Sequence, residues 1–250
     1  MSDPVQEVSV RTFQFIPTSS GQLRLQLHEI HVWSQSLSRE PAEIESFRTF
    51  LSKDELERVA RFRFEASRGE YIVSRGTLRA LVGSYLEVPP QQLRFVYSEY
   101  GRPSLAPGTS SRLLNFNIAH SGDVVLLAFA EGRQVGIDVE KLRRDFATSE
   151  IAERFFSMAE REALRALPQD QRHEAFFRCW TRKEAFIKAL GEGLSHPLDQ
   201  FDVSLAPGGP AVLLATRPDA QEAKRWKLWN IYVPGDYAAA LAAEANGSPT

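Results

Sequence analysis

The sequence is poor in cysteine, in histidine and in long apolar runs. It contains one cysteine, Cys179, and five histidines in 250 residues. A single cysteine excludes an intrachain disulfide and a cysteine-based zinc cluster, and it agrees with a reducing compartment. No apolar run approaches the ~18 residues of a membrane span, and the beginning of the chain lacks the apolar core of a signal peptide. We therefore expect a cytoplasmic protein that does not act on a membrane.

The sequence also lacks an excess of charge of either sign. Its 30 Lys and Arg residues and 32 Asp and Glu residues give a formal net charge of −2. This balance gives no reason to expect nucleic-acid binding, so any anion site must be local. Hydrophobic residues make up 43% of the chain, and 250 residues can bury one large core or two of moderate size.

Hydrophobic periodicity predicts an α+β chain made of two similar-sized halves. The first half reads as a strand over residues 23–33, helices over 52–62 and 71–86, and then strands. The second half begins again with helices, the longest from about residue 171 to 190, and ends in short strands. The stretch DYAAALAAE fits a helix by composition and a strand by position. We place a flexible segment at 1–20, the halves at 21–115 and 116–243, and a flexible tail at 244–250.

Two acids stand close together in the strand pattern GIDVEK, residues 136–141. Alternation puts Asp138 and Glu140 on one face of the strand, with their Cα atoms about 6.5–7 Å apart. Two interpretations remain open from this pattern alone. The carboxylates could share one bound ion, or they could lie on a solvated strand edge beside the basic residues Lys141, Arg143 and Arg144.

The long helix has a lysine on the face that should pack against the core. A seam with helical spacing, which includes Phe176 and Ile187, is interrupted by Lys183. Glu184 and Lys188 lie beside the seam, one helical turn apart. A surface ion pair between Glu184 and Lys188, with an outward-reaching Lys183, is the simpler interpretation. The alternative joins Glu184 to the two strand acids as ligands for Mg²⁺, with the lysines facing phosphate oxygens.

Six ordered motifs carry a resemblance to a known family. They are GIDVEK, WTRKEAFIKALGEGL (180–194), FNIAHSGD (116–123), SEYGRPSL (98–105), RFFS (154–157) and LSHPLDQFDV (194–203). Together they resemble the signature of 4'-phosphopantetheinyl transferases over roughly residues 52–203. The chain looks like the longer, surfactin-synthetase-activating (Sfp-like) type rather than the short trimeric holo-ACP synthase type.

The resemblance implies a fold and a reaction. The fold has two α/β halves related by pseudo-twofold symmetry, with coenzyme A in the cleft between them and Mg²⁺ on its pyrophosphate; Mn²⁺ is an alternative ion. The reaction moves 4'-phosphopantetheine from CoA to a serine of apo acyl, peptidyl or aryl carrier proteins, which is holo-[acyl-carrier-protein] synthase activity. Adenosine 3',5'-bisphosphate leaves. We expect a monomer.

The resemblance also implies three groups of site residues. The metal-binding acids are Asp138, Glu140 and Glu184. The catalytic residues are Glu184 as the base, with Lys188 and Lys183 neutralising phosphate charge. The CoA-binding residues are Arg58, Tyr100, Gly101, Arg102, Pro103, Ala119, His120 and Lys188.

Some of these positions also have ordinary explanations or depart from the family pattern. His120 also fits a satisfied histidine at a strand end, and Arg58 fits a solvated helix charge. Ala119 stands where serine is common, and Glu55 stands where some relatives have a basic residue.

Two rival functions remain on sequence grounds. One is a non-catalytic protein that binds CoA or a carrier, and the other is a Mg²⁺-dependent phosphohydrolase. If the protein is a transferase, the basic and amphipathic segment 141–156 is expected to dock an acidic carrier helix.

Overall fold

The computed structural model describes residues 7–16, 22–144, 148–191 and 196–245. Of the predicted flexible ends, residues 1–6, 17–20 and 246–250 lie outside these ranges. The strands are β1 (Ser9–Gln14), β2 (Glu29–Ser36), β3 (Phe95–Tyr97), β4 (Pro103–Leu105), β5 (Leu114–Ser121), β6 (Val124–Glu131), β7 (Val135–Lys141), β8 (Phe201–Val203), β9 (Leu213–Thr216), β10 (Trp226–Asn230) and β11 (Tyr237–Glu244). The helices are α1 (Pro41–Arg48), α2 (Lys53–Val59), α3 (Glu65–Leu86), α4 (Thr148–Phe155), α5 (Met158–Ala166), α6 (Gln169–Leu190) and α7 (Glu222–Arg225).

The chain divides into two compact units, each of mixed α and β structure. The first comprises Met1–Leu114 and Asp123–Glu131, and the second comprises Asn115–Gly122 and Gly132–Thr250. The chain passes from the first unit to the second between Leu114 and Asn115, returns to the first at Asp123, and enters the second again at Gly132. Strand β6, which we placed in the C-terminal half, belongs to the first unit.

The first unit contains β1, β2 and β6 side by side, together with the long helix α3. Strand β1 runs parallel to β2, and β2 runs antiparallel to β6. The segment 1–20, which we predicted to be flexible, therefore contains strand β1. The Phe13 ring of β1 stacks on the Trp33 ring of β2, with 4.7 Å between the ring centres. The predicted strand 23–33 begins only at Glu29, because the Glu29 amide donates to the Gln26 carbonyl at 2.9 Å and closes a turn.

The second unit is built around α6, which packs against a three-stranded sheet of order β10-β11-β7. Phe176, Lys183 and Ile187 on α6 are buried, as the predicted seam requires. The undecided stretch DYAAALAAE forms β11, which pairs with β10 on one side and β7 on the other. Two neighbouring strands that satisfy its backbone override the helix preference of alanine.

Helix α6 and strand β7 approach each other at Gly136. A Cβ at this position would lie 2.2 Å from the Ala185 carbonyl oxygen and 2.3 Å from the Ala189 amide nitrogen. These distances are shorter than a nonbonded contact allows, so only glycine permits the helix to lie against the strand. Gly136 shares its strand face with Asp138 and Glu140, and this face therefore points at α6.

Among the residues that the structure describes, no helix combines the length and the apolar character that crossing a membrane requires.

Candidate active site

The contact between α6 and β7 brings Asp138 and Lys188 together. The Lys188 Nζ donates to Asp138 Oδ1 at 2.6 Å. The Asp138 side chain is 5% exposed and that of Lys188 is 28% exposed. The solvated strand edge that the sequence left open is therefore wrong for Asp138, because its carboxylate is enclosed between a strand and a helix.

The second oxygen of Asp138 is buried and has no hydrogen-bond partner. Burial raises the pKa of Asp138 to about 7, although the Lys188 ammonium group acts in the opposite direction and the acids Glu184 and Glu140 add to the rise. A buried carboxylate oxygen without a donor is costly, and native structures rarely keep one without a function. Asp138 is thus a group whose second oxygen suits a cation.

Glu140 and Glu184 are two further acids that act electrostatically on Asp138 and Lys188. Burial raises the pKa of Glu184, which Lys188 lowers and Glu140 raises. Burial alone lowers the pKa of Lys188, but Asp138, Glu184 and Glu140 together more than offset it, and the net pKa is raised. Lys188 therefore remains an ammonium ion that balances part of the negative charge, and it binds Asp138 instead of forming a simple surface pair with Glu184.

Two side chains of β5, which the sequence reasoning did not single out, hold β7 in place. Asn117 Oδ1 accepts from the Ile137 amide at 3.0 Å. Ser121 Oγ accepts from the Lys141 amide at 3.1 Å and donates to Glu140 Oε2 at 2.8 Å. Asn117 and Ser121 are four positions apart and therefore lie on the same face of β5. Strand alternation in FNIAHSGD could have predicted this shared face. Ser121 thus orients the Glu140 carboxylate.

The neighbouring residues of β5 differ in exposure. Ala119 is buried on the face that carries Asn117 and Ser121, and His120 is exposed on the other face. Gly122 follows with a φ of +57°, and a Cβ there would lie 2.7 Å from the Tyr237 hydroxyl and 2.8 Å from Lys141 Cδ. The tight turn after β5 therefore depends on glycine.

The donor set suits a hard divalent cation, although the acids do not converge as a formed ligand cluster. In the described part of the chain, no group of three or more His, Cys, Asp or Glu side chains is arranged to hold a metal ion. Carboxylate oxygens are nevertheless the ligands that Mg²⁺ prefers, and Asp138 Oδ2 is already free of other partners. The chemistry of these residues fits Mg²⁺.

The Lys183 side chain points toward Glu160 and Phe201. This position differs from the prediction that Lys183 neutralises phosphate charge. Its side chain is fully buried, and its Nζ donates to Glu160 Oε1 and to the Phe201 carbonyl, each at 2.7 Å. An ammonium group enclosed by these contacts is not presented to a substrate. The sequence could not show this, because Glu160 is 23 residues away.

In the first unit, Arg58 is exposed on α2, with its guanidinium 5.1 Å from the centre of the Tyr71 ring. Glu55, at the position that is basic in some relatives, is buried and binds Arg75 and Arg79. Its carboxylate therefore acts as the bridge between two helix arginines, which explains the departure structurally. Arg58 as a phosphate ligand remains a prediction.

The segment EYGRP forms a turn between β3 and β4. The Gly101 amide donates to the Ser98 carbonyl at 2.9 Å. Tyr100 is 52% exposed, and Pro103 is buried at the start of β4. Arg102 is partly buried, and burial lowers its pKa. Their assignment to the adenosine end of CoA is untested by these contacts.

The second unit thus contains a buried carboxylate, two further acids and a lysine across a strand–helix contact, which are side-chain types that can bind a divalent cation and a phosphate group. Comparison with known families identifies the chain more closely. Residues 134–242 match the 4'-phosphopantetheinyl transferase superfamily, and residues 35–132 match the N-terminal part of 4'-phosphopantetheinyl transferases. The chain belongs to the 4'-phosphopantetheinyl transferase superfamily.

Individual relatives agree with this membership. The chain is 38% identical to the 4'-phosphopantetheinyl transferase HetI of Nostoc sp., over 89% of this chain and 90% of the relative. It is 35% identical to the 4'-phosphopantetheinyl transferase Sfp of Bacillus subtilis, over 67% of this chain and 72% of the relative. The prediction of the family is confirmed, and the matches to both units agree with the longer, Sfp-like type.

Among solved structures, the holo-[acyl-carrier-protein] synthase of Thermotoga maritima is 26% identical, covering 45% of this chain and 63% of that chain, with a TM-score of 0.37. This similarity is too low to support a structural argument. The α+β class rests instead on the two mixed units described above.

Proposed function

We propose that the protein transfers 4'-phosphopantetheine from coenzyme A to a serine hydroxyl of an apo acyl, peptidyl or aryl carrier protein, as a holo-[acyl-carrier-protein] synthase. A bond forms between the serine oxygen and the phosphorus that carries pantetheine. The bond from that phosphorus to the bridging pyrophosphate oxygen breaks, and adenosine 3',5'-bisphosphate leaves. The serine proton passes to a base of the enzyme. The observation that carries the proposal is the ion pair between the buried Asp138 carboxylate and Lys188, in a chain of this family.

The residues of the α6–β7 contact have separate roles in this proposal. Asp138, Glu140 and Glu184 would hold Mg²⁺, which supplies charge neutralisation on the pyrophosphate when bound. Glu184 accepts the serine proton, and burial raises its pKa in the direction that a general base needs. Lys188 binds a phosphate oxygen with its ammonium group. Ser121 keeps the Glu140 carboxylate in one orientation.

A Mg²⁺-dependent phosphohydrolase could use the same acids, so the proposal requires a test with and without carrier. The assay measures the release of adenosine 3',5'-bisphosphate from CoA. It contains Mg²⁺ and is run with and without each of several apo-carriers. We expect release only when a carrier with its serine is present. Equal release without any carrier would instead identify a hydrolase, and no release with any carrier would favour a non-catalytic binding protein.

Coenzyme A with Mg²⁺ is expected to raise the melting temperature of the protein. A ligand that binds only the folded state stabilises it by about 2.7 kcal/mol at one hundred times its Kd. Differential scanning fluorimetry with CoA, with Mg²⁺ and with both measures the effect, and EDTA should reverse much of it. An unchanged melting curve at millimolar CoA and Mg²⁺ would count against the site.

Asp138→Asn is expected to weaken this Mg²⁺-dependent stabilisation and the transfer rate together. Asparagine keeps the shape of the side chain, but it removes the charge that faces Lys188 and the proposed ion. The measurement is the CoA Kd by calorimetry at several Mg²⁺ concentrations. A variant whose CoA affinity responds to Mg²⁺ as strongly as that of the unchanged protein would remove Asp138 from the ion site.

Carrier docking is expected at the basic surface that begins at Arg143 and Arg144, which are exposed. Residues 145–147 of the predicted docking segment lie outside the described residues, and α4 follows. Arg143→Glu with Arg144→Glu should raise the carrier KM and leave the CoA Kd unchanged, because a reversed charge repels an acidic carrier helix. The effect should shrink at high salt.

The matched control is Lys224→Glu with Lys227→Glu. Both lysines are exposed in the same unit, and the two substitutions give the same change of net charge. If the control raises the carrier KM as much as the arginine variant, the effect is one of net charge and the docking assignment fails.

A further inference from the structure

Lys183 and Glu160 form a buried ion pair inside the second unit. The side chain of Lys183 is 0% exposed and that of Glu160 is 2% exposed, with 2.7 Å between Nζ and Oε1. Lys183 also donates to the Phe201 carbonyl, and its Nζ lies 4.1 Å from the centre of the Phe201 ring. The ammonium group is therefore enclosed by groups that stabilise a positive charge.

The Glu160 carboxylate joins three elements of the fold. Its Oε2 accepts from the Ser157 amide at 3.0 Å, which closes the capping box of α5. Its Oε1 accepts from the Val203 amide at 2.8 Å as well as from Lys183. One side chain thus connects the start of α5, the middle of α6 and the strand β8. Such a fully bonded buried carboxylate fixes the elements that it joins.

The contacts of Lys183 matter for the position of α6, because only small residues meet where α6 packs against Gly136 of β7. Gly136 meets Ala185 and Ala189 there, and none of these residues has a side chain that interlocks across the contact. Lys183 is the neighbour of Glu184 and leaves the helix about 100° around the axis from it. The contacts of Lys183 therefore constrain the rotation and the height of α6, in addition to the bond from Lys188 to Asp138.

We propose that Lys183 and Glu160 are positioning residues, which set α6 so that Glu184 and Lys188 lie opposite Asp138 and Glu140, and that Lys183 does not touch the substrate. This inference rests on the proposed function for its effect on catalysis. The ion pair itself does not depend on that function.

A double-mutant cycle separates positioning from direct catalysis. Lys183→Met leaves the Glu160 carboxylate buried without its cation, and Glu160→Gln leaves the Lys183 ammonium buried without its anion. Each single variant should lower the melting temperature and reduce the transfer kcat at least tenfold, with the CoA Kd rising by a smaller factor than kcat falls. The variant with both changes contains neither unpaired charge, so it should regain most of the loss in both quantities.

A direct contact of Lys183 with phosphate predicts different results. The double variant would then be no more active than Lys183→Met, and the CoA Kd would rise in both. Lys188→Met provides the comparison, since adding Glu160→Gln should not rescue it. Lys224→Met, on an exposed lysine of α7, should leave melting temperature and kcat unchanged.

The cycle also distinguishes failure of this inference from failure of the proposed function. If the unchanged protein transfers nothing from CoA to any carrier, the function fails, and the melting temperatures still decide whether the pair is coupled. If the loss of stability in the double variant equalled the sum of the two single losses, the claim that Lys183 and Glu160 are coupled would be wrong. If Lys183→Met does not fold, Glu160→Gln alone decides: a kcat that falls by more than the CoA Kd rises supports positioning, and full kcat in a folded variant overturns it.

Discussion

Glu184→Gln is expected to slow transfer to an apo-carrier by roughly 10²-fold or more, the usual scale for loss of a general base. Glutamine keeps the shape of the side chain and one oxygen for a metal, but it cannot accept the serine proton. CoA binding should therefore fall much less than the rate. Single-turnover transfer, together with a separate measurement of the CoA Kd, resolves the two effects.

The control lies on the same helix. Glu174→Gln removes a carboxylate that pairs on the surface with Arg178, so it tests whether any lost charge on α6 reduces the rate. We expect transfer by this variant to be within twofold of the unchanged protein, since a surface pair contributes only about 0.3–0.5 kcal/mol. Near-normal transfer by Glu184→Gln would contradict the proposed role of Glu184 as the base, but it would not affect the family assignment.

Gly136→Ala is expected to destabilise the protein and to abolish most of its activity. The new Cβ would lie 2.2 Å from the Ala185 carbonyl oxygen, so helix and strand must separate. Overpacking against the backbone of α6 should cost about 3 kcal/mol, or roughly 6–12 °C in Tm for a chain of this size. The displaced helix also carries Glu184 and Lys188 away from Asp138. Thermal unfolding and transfer rates measure both effects.

Gly209→Ala is the matched control for this substitution. Its Cβ would have the Ala206 carbonyl oxygen as its nearest neighbour at 3.4 Å, which is an ordinary contact. The change should therefore stay within about 0.5 kcal/mol of the unchanged protein. If Gly136→Ala were as stable and as active as Gly209→Ala, the close approach of α6 to β7 would not be needed for the site.

The sequence predicted the parts of the site that follow from local periodicity. Strand alternation placed Asp138 and Glu140 on one face, and helical spacing placed Glu184 and Lys188 one turn apart. The capping boxes at Ser52 and Ser157 follow in the same way, because each depends on residues three positions apart.

The sequence could not predict contacts that depend on how the elements pack. The three-residue spacing of Ser157 and Glu160 is typical of a capping box at the start of α5, but it does not show that the other oxygen of the Glu160 carboxylate binds Lys183. The residues alone showed only that Lys183 interrupts a core-facing seam, and its catalytic role was implied by the family resemblance. Strand β11 was undecided because its alanines favour helix, whereas its two neighbouring strands decide the outcome.

The mass of an apo-carrier protein after incubation with this protein, CoA and Mg²⁺ tests the central claim most directly. The account predicts that the carrier gains the mass of one 4'-phosphopantetheine group on its serine, and that EDTA or replacement of that serine by alanine prevents the gain. Unchanged masses for acyl, peptidyl and aryl carriers, under conditions in which the folded protein binds CoA, would contradict it.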